Sequence, residues 1–526
     1  MSTQERTLLP RRQFVKTSTA SLIGASLVPR VLAAQNQAAS IQELELWQPV
    51  SGNQFTFPSP RYPKNIPHIT TVEQLLPVAR QLASIPPRLD RSIPFSFGIH
   101  PGQKALMIVP SNFDPLVVEA TTAALREKGI LVDQIILDIS LANESRLPQR
   151  DGEARGAELE AQGTLNSLMN PRPRPRTSRW FIDIAKKLNH SLVIEGTGGP
   201  LVNTTDRVTE FVHQHIPWPT RENFFLRLGT PHELRGVIDR VTMRPLLEGG
   251  EVRITDPEGT DLTYTIFPEQ WSMVEERERR PRLTVGHLWG VPQMVVLSKS
   301  NAKGVIAGTA NSSGMYPRIK LYLENQKVVK IEGGGRYGDA WREIEERSKE
   351  IQWPEYPRPG FSWFIEAGIG TEPGCVPGWC WNNGETRTSG TIHFGIGVGS
   401  QTERFQRFIQ ETGLPGGHLH VHARFATYDI KNSRGRVVRV IEKGRLTAFD
   451  DPEVREVAAK YGDPDLLLRE LWVPAIPGVN HPGDYERDYA EDPMAWLKRW
   501  RSILEQEVDR VLLYGDRIPK EPIRQT

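Results

Sequence analysis

The sequence predicts an α/β domain with a parallel sheet and helices, followed by an α+β domain rich in antiparallel strands. Three observations support this fold class. The 526 residues are enough for more than one hydrophobic core. A strand–helix–strand pattern is present after residue 96, with apolar residues at helical spacing in its middle part. After residue 247 the pattern changes to short strands with alternating β-branched residues, separated by Gly, Asn and Asp.

The composition is typical of a globular protein and not of a disordered chain, with 38% hydrophobic and 24% charged residues. The formal net charge is +2 and there is no long basic stripe, so we expect no nucleic-acid partner. The 42 prolines favour ordered loops over a helix bundle.

The N-terminus, "LLPRRQFVKTSTASLIGASLVPRVLAAQ", resembles a twin-arginine export signal. Arg11 and Arg12 precede Phe14 and Lys16, and a modestly apolar stretch and a cleavage region of small residues follow. We expect cleavage after Ala33 and export of a folded bacterial protein by the twin-arginine machinery, to the periplasm or beyond the cell. The alternative is an uncleaved anchor, but Ser, Thr and Gly interrupt the apolar stretch. No other apolar run is long enough for a membrane span, so we expect none in the mature chain.

The remaining pattern divides the chain into segments. The α/β domain contains predicted strands at 104–110, 132–138 and 191–196 and helices at 115–129 and 179–188. A final amphipathic helix at 493–515 is expected to close the fold. The predicted segments are a signal peptide at 1–33, a proline-rich aperiodic arm at 34–95, an α/β domain at 96–246 with an insertion loop at 140–176, an antiparallel-rich domain at 247–450, and a C-terminal extension at 451–526.

The two cysteines, Cys375 and Cys380, lie in "GCVPGWC". In an oxidising compartment this spacing predicts a disulfide that pins a Gly/Pro loop. Two thiols from one loop are also a zinc-ligand pattern, but the sequence has no second cysteine pair to complete such a site.

Three histidines alternate in "HLHVH": His418, His420 and His422. In a strand, alternate side chains share a face and lie about 7 Å apart at Cα. Two neighbouring imidazoles can therefore meet one ion, whereas all three cannot. The alternative is a polar strand face that contacts water.

Five stretches occur in a fixed order: "VRITDPEGTDLTYTI", "KVVKIEGG", "FIEAGIGTEPG", "GTIHFGIGVG" and the histidine-rich strand. Together they resemble the C-terminal domain of the aminopeptidase T superfamily, which also includes dihydroxypyridine ring-cleaving dioxygenases. The resemblance covers roughly residues 247–450, with a compatible α/β domain before them.

The resemblance implies metal ligands at Glu366, at His393 and at a later H-x-D pair. The chain has no such pair, and the spacing to the following turn fits His420 with His422 in its place better than His418 with His420. A carboxylate with imidazoles suits zinc or Fe(II), and manganese or cobalt are further options. Taken singly, His393 is also compatible with a hydrogen-bonded core histidine and Glu366 with a buried ion pair.

The sequence departs from the peptidase members in their second metal position. The peptidases have an additional glutamate where this chain offers Gln293, and their metal-site tyrosine after the histidine is missing. We therefore expect one divalent ion. Glu385 is a candidate outer partner or general base, and Asp261 a candidate on the substrate side, although its stretch also reads as a buttressing turn.

The resulting hypothesis is an exported metal-dependent hydrolase that acts on an amide or ester of a small molecule or peptide. The alternatives are a mononuclear Fe(II) ring-cleaving dioxygenase and a catalytically inactive ligand-binding protein of the same fold. Strands of the second domain also offer an edge for a homodimer.

Overall fold

The computed structural model describes residues 44–49, 55–65, 67–84, 99–111, 113–137, 156–172, 177–196, 211–216, 221–277, 286–292, 295–375, 388–400 and 402–508. Within them, the chain forms a parallel sheet with helices and a large antiparallel-rich sheet, which confirms the predicted fold class. None of the helices in these ranges is both long enough and apolar enough to cross a bilayer. The predicted signal peptide at 1–33 lies outside the described residues.

The proline-rich arm contains more regular structure than its aperiodic sequence predicts. Strands β1 (Leu46–Trp47) and β2 (Tyr62–Pro63) pair antiparallel, and helix α1 spans Val72–Leu82. The helix forms because its apolar residues recur at helical spacing and face the core, while the Gln74 side chain accepts a hydrogen bond from the Thr71 N–H at 3.1 Å. The prediction of an aperiodic arm is therefore wrong for this helix.

The first sheet has four parallel strands in the order β4-β3-β5-β6. Its strands are β3 (Lys104–Pro110), β4 (Leu131–Leu137), β5 (Leu192–Gly196) and β6 (Val212–Ile216). Helix α2 (Pro115–Glu127) connects β3 to β4, and its N-cap Asp114 accepts a hydrogen bond from the Leu116 N–H at 2.9 Å. Both faces of β3 are buried, as expected for a central parallel strand.

Part of the segment at 140–176, predicted as an insertion loop from its low apolar density, is helical. Helix α3 spans Gly156–Met169, and its buried residues include Ala157, Ala161 and Leu165. These side chains belong to the core of the second sheet and not to that of the parallel sheet. The prediction failed because the apolar residues of α3 are few and small. They suffice only because the helix packs closely against a formed surface.

Three helices complete the region around the parallel sheet and lead into the second one: α4 (Thr177–Lys187), α5 (Arg221–Leu228) and α6 (His232–Leu247).

The second sheet has twelve strands, and eleven of them follow the order β15-β14-β13-β12-β11-β10-β8-β7-β16-β17-β18, with β9 on β13. The strands are β7 (Gly250–Thr255), β8 (Asp261–Ile266), β9 (His287–Trp289), β10 (Lys303–Ala310), β11 (Met315–Glu324), β12 (Lys327–Gly333), β13 (Trp363–Gly370), β14 (Ile392–Val398), β15 (Gly417–Ala423), β16 (Thr427–Lys431), β17 (Val437–Glu442) and β18 (Arg445–Leu446). Strand β10 also packs against β15. A Cβ at Gly308 on β10 would lie 2.7 Å from the carbonyl oxygen of His422 on β15, so the two backbones approach closely. This part of the sheet is therefore curled.

The remaining helices surround this sheet or join it to the first one. They are α7 (Pro268–Arg277), α8 (Gly335–Ser348), α9 (Glu403–Thr412), α10 (Pro452–Ala459), α11 (Pro464–Leu467) and α12 (Pro493–Leu504), with a 3-10 turn at Thr447–Asp450 and a π-helical turn at Glu486–Ala490. The predicted closing helix at 493–515 is present as α12, which ends at Leu504. Its residues Trp496 and Trp500 pack into the core of the parallel-sheet domain. The predicted domain boundaries remain predictions.

Candidate metal centre

Three adjacent antiparallel strands, β13, β14 and β15, carry a cluster of carboxylate and imidazole side chains. Residues paired across such a ladder point to the same face, so their side chains meet above one surface of the sheet. Two neighbouring rungs are Glu366–Gly395–His420 and Gly368–His393–His422, and His418 pairs with Gly397. Donors and glycines thus share each rung, which leaves space for several imidazoles on one face.

Four side chains converge above this surface: Glu366, His393, His418 and His420. One nitrogen or oxygen of each lies within 4.8 Å of those of the other three. Glu366 Oε2 is 2.8 Å from His418 Nε2 and 3.8 Å from His393 Nε2. The ring centroids of His393 and His420 are 4.0 Å apart. Metal–ligand bonds of about 2.0–2.2 Å place two ligands of one ion about 3–4 Å apart, so these separations suit a shared ion.

Glycine is required at two positions of the ladder. A Cβ at Gly395 would lie 2.8 Å from both Glu366 Oε2 and His418 Cδ2, and a Cβ at Gly368 would overlap the His287 ring. The "G-I-G" pattern in "FIEAGIG" and "HFGIG" therefore makes room for the donors and does not mark a flexible turn.

The Glu366 carboxyl is 1% exposed, and its burial alone would raise its pKa. The hydrogen bond from His418 and the electrostatic interaction with His418, His287 and His420 outweigh burial and lower the pKa to about 2. Glu366 is therefore ionised at neutral pH, which is the form that ligates a metal.

The surroundings of His393, His420 and His422 favour the neutral imidazole. Burial lowers the pKa of His393, His420 and His422, and repulsion by neighbouring imidazolium charge lowers each further. For His420, the carboxylate of Glu160 partly opposes this shift. Neutral imidazoles have the lone pair that a metal ion needs.

His422 does not belong to the four converging residues. Its Nε2 lies 2.5 Å from His393 Nδ1, so it holds the ring of His393 from behind. The structure therefore places His418, and not His422, beside His420 in the cluster, in contrast to the spacing argument from the sequence. His418 and His422 lie on the rungs on either side of His420. His422 shares its rung with His393 and contacts the Nδ1 of that ring, whereas the Nε2 of His418 lies 2.8 Å from the Glu366 carboxylate.

The residues fit a divalent metal ion. A carboxylate with imidazoles is a donor set typical of zinc and Fe(II). Within the described residues, neither ring nitrogen of the buried His420 makes a hydrogen bond. A buried polar group without a partner is costly, and a bound ion would remove that cost.

Two residues near the cluster were not predicted from the sequence. His287, on β9, places its Nε2 3.5 Å from Glu366 Oε1. Glu160, on α3, places its Oε1 3.7 Å from His420 Nδ1. His287 lies two residues before the stretch "WGVPQ" in which the chain offers Gln293, so a search for donors extended upstream of that stretch would have found it. No local signal marks Glu160.

Among the other predicted site residues, the structure describes Cys375 and Asp261. Gln293, Cys380 and Glu385 lie outside the described residues, so the disulfide and the role of Glu385 remain predictions. Cys375 is buried. Asp261 forms an exposed ion pair with Arg253 at 3.0 Å on the β7–β8 hairpin.

No protein-family model and no curated protein matches the chain. Two solved structures are similar to it at low identity. A 2,5-dihydroxypyridine dioxygenase from Pseudomonas putida KT2440 is 13% identical, with 74% of this chain and 100% of that chain covered and a TM-score of 0.38. Wild-type AmpT from Thermus thermophilus is 12% identical, with 72% and 100% covered and a TM-score of 0.35. At these values the likeness is distant.

Proposed function

We propose that the chain is an exported metal-dependent hydrolase of amides or esters, with one divalent ion held by Glu366, His393, His418 and His420. The observation that carries the proposal is the convergence of these four side chains, each with a donor atom within 4.8 Å of the others. An ion bound there supplies a Lewis acid and an activated water for hydrolysis.

The protein's own residues prepare the site for binding. Glu366 contributes one negative charge, because its lowered pKa of about 2 keeps it ionised. His422 fixes the orientation of His393 through the contact between their ring nitrogens. The hydroxyls of Tyr316 and Tyr337 donate to the His420 carbonyl oxygen at 3.0 and 2.9 Å and anchor that strand. The ligands are therefore held before any ion arrives, which lowers the entropic cost of binding.

The centre is more open on one side. The side chains of His418 and His420 remain 15% and 13% exposed, whereas those of Glu366 and His393 are 1% and 5% exposed. A substrate therefore approaches past His418 and His420. Glu160, 26% exposed, lines the same side.

The second candidate function is a mononuclear Fe(II) dioxygenase. It is favoured by the single carboxylate among the four converging residues, because one carboxylate with two histidines is the ligand set of non-haem iron oxygenases. The two functions differ in the metal and in the need for oxygen.

An activity assay under defined metal and oxygen conditions tests the proposal. The chain is stripped of metal, reloaded separately with zinc, cobalt, manganese or Fe(II), and assayed with and without oxygen against aminoacyl anilides, nitrophenyl esters and dihydroxylated aromatic rings. We expect hydrolysis with zinc, cobalt or manganese. His393→Ala should abolish it, while His100→Ala, which removes an exposed histidine, should not.

Activity that appears only with Fe(II) and consumes oxygen with dihydroxylated aromatic rings would replace the hydrolase by the second candidate. A loaded protein that binds small ligands equally well with and without metal, and turns none of them over, would contradict both enzymes in favour of a ligand-binding protein.

Export is proposed on the resemblance of the N-terminal segment around Arg11 and Arg12 to a twin-arginine signal. Replacement of both arginines by lysine should leave the protein in the cytoplasm, as measured by cell fractionation. Unchanged export would contradict this route.

A further inference from the structure

Helix α3 brings a carboxylate from the first half of the chain to the metal centre. Its residues Ala157 and Ala161 are buried in the core of the second sheet, and Glu160 lies beside them. Glu160 Oε2 accepts a hydrogen bond from Ser313 Oγ at 3.1 Å, and Oε1 lies 3.7 Å from His420 Nδ1. The carboxylate is thus held on one side and faces a ligand candidate on the other.

His393 and His420 have similar surroundings. His393 Nδ1 contacts His422 Nε2 at 2.5 Å, and His393 Nε2 faces the Glu366 carboxylate. His420 Nδ1 faces Glu160, so its Nε2 corresponds to the metal-facing nitrogen of His393. Tyr337 fixes the backbone of His420, since its hydroxyl contacts both the carbonyl oxygen at 2.9 Å and the N–H at 3.2 Å. Only the orientation and tautomer of the His420 ring remain to be set.

We propose that Glu160 is a positioning residue of the metal centre: its carboxylate accepts a hydrogen bond from the Nδ1–H of His420 and so fixes the tautomer whose Nε2 lone pair binds the ion. This inference rests on the proposed metal site. A charge-assisted hydrogen bond of this kind is about 2.7–2.9 Å long, so a shift of about 1 Å would form it. Carboxylates behind a ligating histidine orient the ring and make it a stronger ligand.

The proposal also gives a role to helix α3, which lies in the segment predicted as an insertion loop at 140–176. The centre is complete only when α3 is docked on the second sheet. Metal binding is thereby coupled to the packing of a helix that precedes that sheet in the chain.

Metal affinity tests the proposal. The dissociation constant for Co²⁺ is measured by competition with a chelator on the full chain, for wild type, Glu160→Gln and Glu160→Ala. Glu158→Gln on the same helix is the control, because Glu158 pairs with the exposed Arg336 at 3.4 Å and not with the centre. The thermal midpoints of the metal-free proteins and the Co²⁺ absorption spectra are recorded in parallel.

We expect affinity to fall about 10- to 100-fold in Glu160→Ala and less in Glu160→Gln, whose amide oxygen still accepts a hydrogen bond, with one ion bound and metal-free midpoints unchanged. Glu158→Gln should match wild type. Wild-type affinity in both Glu160 variants, or an equal loss in Glu158→Gln, would overturn the proposal. If wild type binds no metal at all, the proposed function fails instead, so the two failures are distinguishable.

Discussion

At the scale of single residues, the centre depends as much on glycines as on donors. Gly395 lies between Glu366 and His420 on one rung, and Gly368 lies beside His393 on the next. A side chain at either position would occupy the space in which the donors meet. The pairing of glycine with donor across the ladder is therefore a structural requirement of the site.

Gly395→Ala tests this requirement. The added methyl group would lie 2.8 Å from the Glu366 carboxylate and the His418 ring, so one of them must move. We expect metal affinity to fall at least about tenfold, the cost of misplacing one ligand-supporting contact, as measured by chelator competition. Gly236→Ala is the matched control, because Gly236 lies inside helix α6 with open space at its Cβ, and it should bind metal like wild type. Unchanged affinity in Gly395→Ala would show that the centre tolerates the methyl group.

At the scale of elements, the turn between β7 and β8 supports the end of the histidine-bearing strand. Asp256 accepts hydrogen bonds from the N–H groups of Glu258 and Phe425, both at 2.9 Å, and Phe425 follows β15 closely. Glu258 accepts from Thr309 and Tyr485 at 2.8 and 2.9 Å. The turn thus joins β15 to β10 and to the C-terminal extension, as a buttress that the sequence also suggests.

The buried acids of this turn give the protein a pH dependence. Burial, aided by the charge of Asp256, raises the pKa of Glu258 to about 8. Glu258 stays protonated in the folded state while the unfolded state ionises above about pH 4.5. Its contribution to stability is therefore complete below that pH and is lost as the pH rises to about 8.

Glu258→Gln should remove this dependence, because an amide keeps the shape and does not ionise. We expect the thermal midpoint of the metal-free wild type to fall relative to that of the variant between pH 5 and pH 8, by an amount equivalent to about 1 kcal/mol or more. Glu251→Gln, an exposed substitution on the same hairpin, should follow wild type. Parallel profiles for wild type and Glu258→Gln would contradict a protonated Glu258.

The elements show how much of the candidate site can be predicted from the sequence alone. Strand alternation predicts correctly that His418 and His420 share a face, and the ordered motifs select Glu366 and His393, which the structure brings together. The shared face is predicted correctly because strand periodicity is local, whereas the ligand roles of Glu366 and His393 stay predictions. His287 and Glu160 were missed because their place depends on β9 pairing with β13 and on α3 docking far along the chain. Local sequence patterns do not encode which distant elements pack together.

At the scale of the whole molecule, segments far apart in sequence pack together on the cores of the two sheets. Trp500 Nε1 on α12 donates to the Tyr62 hydroxyl at 2.8 Å, and the Arg61 N–H donates to the Val473 carbonyl at 2.9 Å. The arm and the C-terminal extension therefore pack together on the parallel-sheet core, while α3 packs on the other one. The boundaries drawn from composition separate segments that the fold brings into contact.

The most direct test of the central claim is the metal content of the protein purified without chelators. We expect about one zinc or iron ion per chain in wild type and in the exposed-site control His100→Ala, and none in the His393→Ala/His420→Ala double variant. All three proteins must show the same circular dichroism spectrum. A folded wild type without bound metal after incubation with zinc or Fe(II), or a double variant that retains its ion, would contradict the assignment of these histidines as ligands.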